Sequence, residues 1–309
     1  MIICLSSYKQ RGLIVKISPS AFNERADYLM NVNTIIRLND RIFLINEANS
    51  TNMYLVIGEK KALLIDTGYG YGDTAGDVKK LTDKDVTVAI THGHPDHGLG
   101  AYEFSEVYLN QRDLQILKSS DNPNMKRISL EYRLTKVPEL FNQMDVDQYC
   151  RTDLNNTVFK PMNEGDIFDL GDLKLRVIEI PGHSPGSVAL FEENNGWLFT
   201  GDLITKHNIW NQASFPDDSM PLSVMMKSLK KIELMKDQIT AIYPAHDITP
   251  IGTEIIGELE EAVRDLPKHY QNDAVIHTMV GDAYKHDYKG RVILYSKELL
   301  KETLENGVE

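Results

Sequence analysis

Residues 85–100 have the sequence Asp-Val-Thr-Val-Ala-Ile-Thr-His-Gly-His-Pro-Asp-His-Gly-Leu-Gly. The β-branched and apolar run Val86–Ile90 predicts a buried strand. Four side chains that can bind a metal follow it directly: His92, His94, Asp96 and His97. The first two lie two positions apart, so they point in the same direction on an extended backbone. Pro95 ends the strand, and the turn can bring the last two side chains to a second point, which predicts a two-metal centre.

Three later predicted strands also end in ligand-type side chains. Each is followed by a small residue or a proline and then by the candidate ligand: Leu173–Ile180 leads to His183, Trp197–Thr200 to Asp202, and Ala241–Tyr243 to His246. Because strand ends are rigid and can converge on one point, we expect these side chains to meet the first cluster. The repetition of this pattern, rather than any single histidine, carries the prediction.

The candidate ligands divide into two sets that share one carboxylate. The predicted sets are His92, His94 and His183 for the first metal, Asp96, His97 and His246 for the second, and Asp202 between the two. Nitrogen-rich ligation without thiolates favours two zinc ions, with iron or manganese as alternatives. A hydroxide that bridges two divalent cations is a nucleophile near neutral pH. Asp96, next to this hydroxide, is the candidate catalytic residue for proton transfer.

The motif His92-Gly-His-Pro-Asp-His97 resembles the signature of the metallo-β-lactamase superfamily. Asp66 upstream and the three later ligands downstream occur in the order of that family, and the resemblance covers about residues 33 to 250. It implies an α/β protein with an αββα four-layer sandwich and with the metals at one edge of two sheets. It also implies that Asp66 supports the histidine loop and does not bind metal.

We expect residues 1–309 to form a single metallo-β-lactamase-like domain, with an N-terminal extension at 1–32. Residues 111–155 are helix-prone and too short to hold a core of their own, which predicts a helical insertion near the site. The apolar patterns predict further strands and helices as follows: strands at Thr34–Leu38, Ile42–Asn46, Met53–Ile57, Ala62–Ile65, Val107–Leu109, Val158–Phe159, Ile167–Asp169, Val188–Glu192 and Val292–Tyr295, and helices ending at Leu81 and spanning Leu222–Met235 and Glu254–His269.

The composition argues against several classes of function. A formal net charge of −12 over 309 residues disfavours nucleic-acid binding, because phosphate recognition needs a basic face. The cysteines, Cys4 and Cys150, are too few for a disulfide framework or a cysteine-based zinc site. Apolar runs of membrane-spanning length and a signal-peptide core are absent from the sequence. We therefore expect a cytoplasmic protein with a small-molecule substrate and no membrane partner, and leave a homodimer open.

The predicted reaction is hydrolysis of an ester-like bond, namely a thioester, a lactone or an amide. True β-lactamases of the family lack a metal carboxylate at the position of Asp202, whereas glyoxalase II-like thioesterases and lactonases keep it. The lactonases place a tyrosine shortly after this aspartate, but here Leu203, Ile204 and Thr205 follow. The alternatives are a phosphodiesterase of the same fold and an iron-dependent oxidoreductase similar to the flavodiiron enzymes or the persulfide dioxygenases.

Aromatic and histidine side chains near the last two ligands are candidates for a substrate pocket. They are His207, Trp210, Phe215 and Tyr243. Packing of a loop explains each of them at least as well as substrate contact does. His269, His277 and His286 lack a partner pattern, so we expect them to be structural or exposed to solvent.

Overall fold

Seven strands form the first sheet of the computed structural model, and their order in the sheet is their order in the chain: β1 (Asn33–Arg37), β2 (Ile42–Glu47), β3 (Thr51–Ile57), β4 (Lys61–Ile65), β5 (Asp85–Ala89), β6 (Glu106–Leu109) and β7 (Val158–Pro161). The structure describes residues 32–139, 144–206, 208–211, 220–278 and 281–306, so the predicted N-terminal extension lies outside it except for Val32. Strands β1 to β4 pair antiparallel, and β4 to β7 pair parallel. Parallel pairing of β4 with β5 places the ends of both strands side by side.

Five strands form the second sheet. Its strands are β8 (Ile167–Asp169), β9 (Lys174–Glu179), β10 (Val188–Glu192), β11 (Trp197–Gly201) and β13 (Ala241–Pro244), arranged in the order β13-β11-β10-β9-β8. Strands β8 to β11 are antiparallel, while β11 and β13 run parallel with a register shift between Phe199 and Gly201. The predicted strands of both sheets are thus present, with ends shifted by two residues or fewer.

The two sheets pack face to face around a shared hydrophobic core. It contains Leu44, Tyr54, Leu63 and Ile65 from the first sheet and Leu175, Val177, Leu190 and Phe199 from the second. Residues 53–57 of β3 and the last four residues of β4 are apolar on both faces, because helices cover the face that does not meet the second sheet.

Helices cover the outer face of each sheet. Against the first sheet lie α1 (Thr74–Leu81), α2 (Pro95–Gly98), α3 (Leu114–Ser120), α4 (Pro123–Leu134) and α5 (Val146–Cys150). Against the second sheet lie α6 (Leu222–Glu233), α7 (Glu254–His269) and α8 (Lys297–Asn306). In α7 the buried residues recur at helical spacing: Ile255, Ile256, Leu259, Val263 and Leu266. The predicted αββα sandwich is confirmed, and three of the helices fall within residues 111–155.

A third sheet of four strands was not predicted as a sheet. It consists of β12 (Asn208–Asn211), β14 (Ala274–Thr278), β15 (Gly281–Tyr288) and β16 (Arg291–Tyr295) in the order β12-β16-β15-β14. Only β16 was expected from the sequence. Ile293 and Tyr295 of this strand belong to the same buried cluster as α7, so the third sheet packs on the outer helix layer.

One buried histidine ties the third sheet to α7. The His286 side chain is buried, with Nδ1 3.0 Å from Asp273 Oδ2 and Nε2 3.1 Å from Asp265 Oδ2. Asp265 belongs to α7, and Asp273 directly precedes β14. His269 and His277 are exposed, so these three histidines are structural or exposed, as expected from the sequence. Within the described ranges, none of the helices combines the length and the apolar character that a membrane crossing needs.

We expect Leu63→Ala to lower the free energy of unfolding by about 2–5 kcal/mol, because the Leu63 side chain is fully buried between the two sheets. Ile167→Ala is the matched control, because Ile167 is 58 % exposed on β8, and a change of at most ~0.5 kcal/mol is expected. Guanidinium denaturation of both variants measures the difference. Equal destabilisation by the two substitutions would contradict the placement of Leu63 in the core between the sheets and of Ile167 at the surface.

Candidate metal centre

Asp66 follows β4 with a backbone φ of 65°, a left-handed conformation that aspartate tolerates better than most residues. Its Oδ1 accepts a hydrogen bond from the Thr91 N–H at 2.7 Å, and its Oδ2 accepts one from Thr91 Oγ1 at 2.9 Å. The same Oδ2 lies 3.0 Å from His97 Nδ1. Donation from Nδ1 to Asp66 leaves Nε2 of His97 available to a metal. This position fits the supporting role that the family resemblance implies for Asp66.

His92, His94 and His183 form the first group. Nε2 of His92 lies 3.1 Å from Nδ1 of His94, which in turn lies 2.8 Å from Nε2 of His183. One ligand atom of each lies within 4.8 Å of the others. Burial, and then the neighbouring imidazoles, lower the pKa of His92 well below its usual value and that of His94 to about 3. These two imidazoles are therefore neutral at pH 7, which is the form that binds a metal.

Asp96, His97 and His246 form the second group, again with ligand atoms within 4.8 Å of one another. Nε2 of His246 lies 3.2 Å from Asp96 Oδ2, and Nε2 of His97 lies 3.5 Å from the same oxygen. Burial alone would lower the pKa of both histidines, but the carboxylates of Asp96 and Asp202 outweigh it and raise both pKa values well above normal. The carboxylates of Asp96 and Asp202 thus favour positive charge on this side of the centre.

Asp202 lies between the two groups. Its Oδ1 lies 3.4 Å from His97 Nε2, and its Oδ2 lies 3.2 Å from His246 Nε2 and 3.5 Å from His183 Nε2. Within the described part of the chain, Asp202 Oδ1 and His97 Nε2 are buried and have no hydrogen-bond partner. Buried polar atoms without partners are costly. Coordination to a divalent cation would satisfy both, so the residues present fit a two-metal centre.

The structure therefore brings all seven predicted ligands together, although they come from four separate segments of the chain. His92, His94, Asp96 and His97 follow β5, while His183, Asp202 and His246 follow β9, β11 and β13. Each segment leaves a rigid strand and turns at the same edge of the sandwich, which is how the fold positions the donors.

Asp113 is a supporting residue that the sequence analysis missed. Its buried Oδ2 accepts hydrogen bonds from the Gly93 N–H at 2.8 Å and from Ser184 Oγ at 2.6 Å. Its Oδ1 accepts a hydrogen bond from the Gly186 N–H at 2.6 Å. The carboxylate thereby ties the loop of His92 and His94 to the loop of His183. Nothing in the local sequence marks it, because its partners are 20 to 73 positions away.

A second missed acid, Glu47, holds the loop that follows Asp66. Its Oε2 accepts a hydrogen bond from the Tyr69 N–H and its Oε1 one from the Tyr71 N–H, both at 2.7 Å. Gly68 has a φ of 70°, and a Cβ there would lie 2.7 Å from the Glu47 carboxylate, so glycine is required at that position. Burial raises the pKa of Glu47 to about 7, although these hydrogen bonds oppose the shift.

The structure describes two of the four residues that the sequence predicts for a substrate pocket. His207 and Phe215 lie outside the described residues, and Trp210 is placed in β12, where its backbone pairs with Leu294. Tyr243 is only 4 % exposed, and its ring stacks on Phe199 at a centroid distance of 4.8 Å. The prediction that Tyr243 lines a pocket is therefore corrected, because its ring packs in the core between the sheets.

Comparison with known proteins agrees with this geometry. The sequence model of the metallo-beta-lactamase superfamily matches residues 47–112 and 127–246, which include all seven ligands. The chain is 28 % identical over 184 residues to the acyl-coenzyme A thioesterase MBLAC2 of Bos taurus, covering 54 % of this chain and 64 % of that protein. It is 25 % identical over 226 residues to an atrochrysone carboxyl ACP thioesterase of Emericella nidulans, covering 71 % of this chain and 59 % of that protein. The matches span less than two thirds of both relatives.

A solved structure shows the same fold. The metallo-beta-lactamase from Pontibacter korlensis matches with a TM-score of 0.54 over 75 % of this chain and 99 % of that chain, at 14 % identity. At this identity the likeness concerns the fold alone. Because the family model matches more than half of the sequence, the chain belongs to the metallo-beta-lactamase superfamily.

Proposed function

We propose that this protein is a zinc-dependent hydrolase that cleaves thioesters with two metal ions. The observation that carries the proposal is the convergence of seven ligand-type side chains, two of which keep a buried polar atom that has no partner among the described residues. Such an arrangement is costly unless a cation completes it. Imidazole and carboxylate donors without thiolates favour zinc, and iron or manganese are the alternatives.

The choice of thioesters is supported by relatives. Two of the matched proteins are named for thioester hydrolysis, one of acyl-coenzyme A and one of an acyl carrier protein. The position of Asp202 suits a site for two metals, because its carboxylate lies near His183 of the first group and near His97 and His246 of the second. The proposed substrate class is therefore an acyl thioester.

Two divalent cations, when bound, supply an activated water and polarise the scissile carbonyl. The chain itself supplies the proton acceptor. The Asp96 side chain is 18 % exposed, compared with 6 % for Asp202, so Asp96 is the carboxylate that substrate and water can approach. We assign Asp96 to accept the proton of the attacking water and to return it to the leaving thiolate. Thr51 Oγ1 lies 3.4 Å from Asp96 Oδ2 and helps to orient it.

We expect His94→Ala and Asp202→Ala to lower the zinc content below two ions per chain and to reduce kcat/KM by about 100-fold or more. Loss of a supporting partner alone costs about 10–100-fold, so loss of a direct ligand should cost at least as much. His277→Ala, at an exposed histidine, is the control. Metal analysis and steady-state kinetics measure the effect, and full turnover in either ligand variant would refute the assignment.

We expect Asp113→Asn to weaken zinc affinity by about 10–100-fold while the fold persists, because an amide nitrogen cannot accept the hydrogen bonds that Asp113 now accepts. Asp40→Asn is the control, since Asp40 is 91 % exposed on a surface turn. Competition with a zinc-binding dye measures the affinities. Equal zinc affinity in the two variants would show that Asp113 does not support the metal centre.

We expect the zinc-loaded protein to hydrolyse acyl thioesters with a higher kcat/KM than lactones, β-lactams or phosphodiesters. The measurement is a substrate panel at one enzyme concentration, with metal quantified in the same sample. A higher kcat/KM for a phosphodiester would contradict the proposed substrate class and indicate a phosphodiesterase instead. One bound iron together with oxygen-dependent turnover would replace hydrolysis by redox chemistry.

A further inference from the structure

Arg133 extends from the helical segment 111–155 to the edge of the metal centre. It lies near the end of α4, and its guanidinium donates a hydrogen bond to Ser50 Oγ. Ser50 lies in the turn between β2 and β3, far from α4 in the sequence. The contact therefore brings a positive charge from the outer helix layer to the edge of the sandwich at which the ligands converge.

The turn that Arg133 contacts also touches two of the ligands. The carbonyl oxygen of Ser50 lies 3.0 Å from His246 Nδ1, and the hydroxyl of the next residue, Thr51, lies 3.4 Å from Asp96 Oδ2. Because Asp96 and His246 belong to the second metal group, these contacts place the Arg133 guanidinium on the side of that group.

The Arg133 guanidinium has few partners among the residues that the structure describes. Among the described residues, no carboxylate lies within salt-bridge distance of Arg133, and its buried Nε has no hydrogen-bond partner. In contrast, Arg41, Arg112 and Arg127 each pair with a carboxylate. A guanidinium offers five N–H groups in a fork that matches the oxygens of a carboxylate or a phosphate.

We infer that Arg133 binds an anionic oxygen group of the substrate beside the second metal group. The inference rests on the proposed thioester hydrolysis and adds that the preferred thioester carries a carboxylate or a phosphate. The shared chemistry is a planar or tetrahedral oxyanion, which could belong to the acyl part or to the thiol part. Arg133 then determines specificity and takes no part in bond cleavage. The guanidinium adds a local positive charge that favours an anion on a chain with a formal charge of −12.

The test compares matched thioesters with the wild type, Arg133→Gln and Arg133→Lys. Butyryl and succinyl thioesters of N-acetylcysteamine differ by one carboxylate, and butyryl-coenzyme A adds phosphates to the thiol part. For Arg133→Gln we expect the ratio of kcat/KM for an anionic substrate to that for the neutral one to fall about 10–100-fold, mainly through KM. The same ratio should fall less for Arg133→Lys, because lysine keeps the positive charge but lacks the forked N–H groups of arginine.

Each outcome is informative. A fall in the ratio for the succinyl thioester alone places the anion in the acyl part, and a fall for the coenzyme A thioester alone places it in the thiol part. Arg127→Gln is the matched control, because Arg127 is exposed on the same helix and pairs with Asp147. Unchanged ratios in Arg133→Gln, or equal losses on all three substrates, would overturn the inference and leave Arg133 a structural residue.

A binding measurement separates this inference from the proposed function. If the wild type cleaves none of the three thioesters, the proposed function fails, and calorimetric titration of zinc-loaded protein with succinate and with inorganic phosphate still tests Arg133. Binding to the wild type that is about tenfold or more weaker in Arg133→Gln supports the anion site. Equal binding, or no binding to either protein, overturns it. Thermal denaturation of all variants verifies that they are folded.

Discussion

The close approach of buried imidazoles and carboxylates is the constraint on which the rest of the structure depends. Donor atoms with 2.8 to 3.5 Å between them would be an expensive arrangement in a protein core without a compensating cation. The fold sustains this arrangement by placing every donor just beyond a strand end. Two sheets and their shared core hold these strands in place. A short turn after each strand is then sufficient to bring its donor to the centre.

Three buried carboxylates that are not assigned as metal ligands hold the loops around the centre in place. Asp66 orients His97, Asp113 joins two histidine loops, and Glu47 holds the backbone after Asp66. Each carboxylate accepts at least two hydrogen bonds, so each loop is attached at more than one point. The geometry of the donors is therefore a property of a wider polar network than the ligands themselves.

Local patterns in the sequence carry information about the strands and the metal-ligand motif. The apolar strands and the motif His92–His97 predicted both sheets and the donor set, because strand periodicity and motif spacing are local properties. Strands β14 and β15 were missed, since exposed Val275 and charged Asp282 and Lys285 hide their alternation. Asp113 and Arg133 act on residues 20 or more positions away, and Tyr243 was misplaced because only the tertiary structure decides which face of a strand end is buried.

The third sheet has a consequence for the segment that follows Asp202. Strand β12, which begins six residues after this aspartate, lies at the edge of that sheet and pairs in parallel with β16. The polypeptide that follows Asp202 is therefore anchored by a hairpin that lies some 80 positions later in the chain. Any event that detaches the hairpin, such as proteolysis near its Lys289-Gly290 turn, would deprive β12 of its partner and loosen the backbone beside Asp202 from a distance.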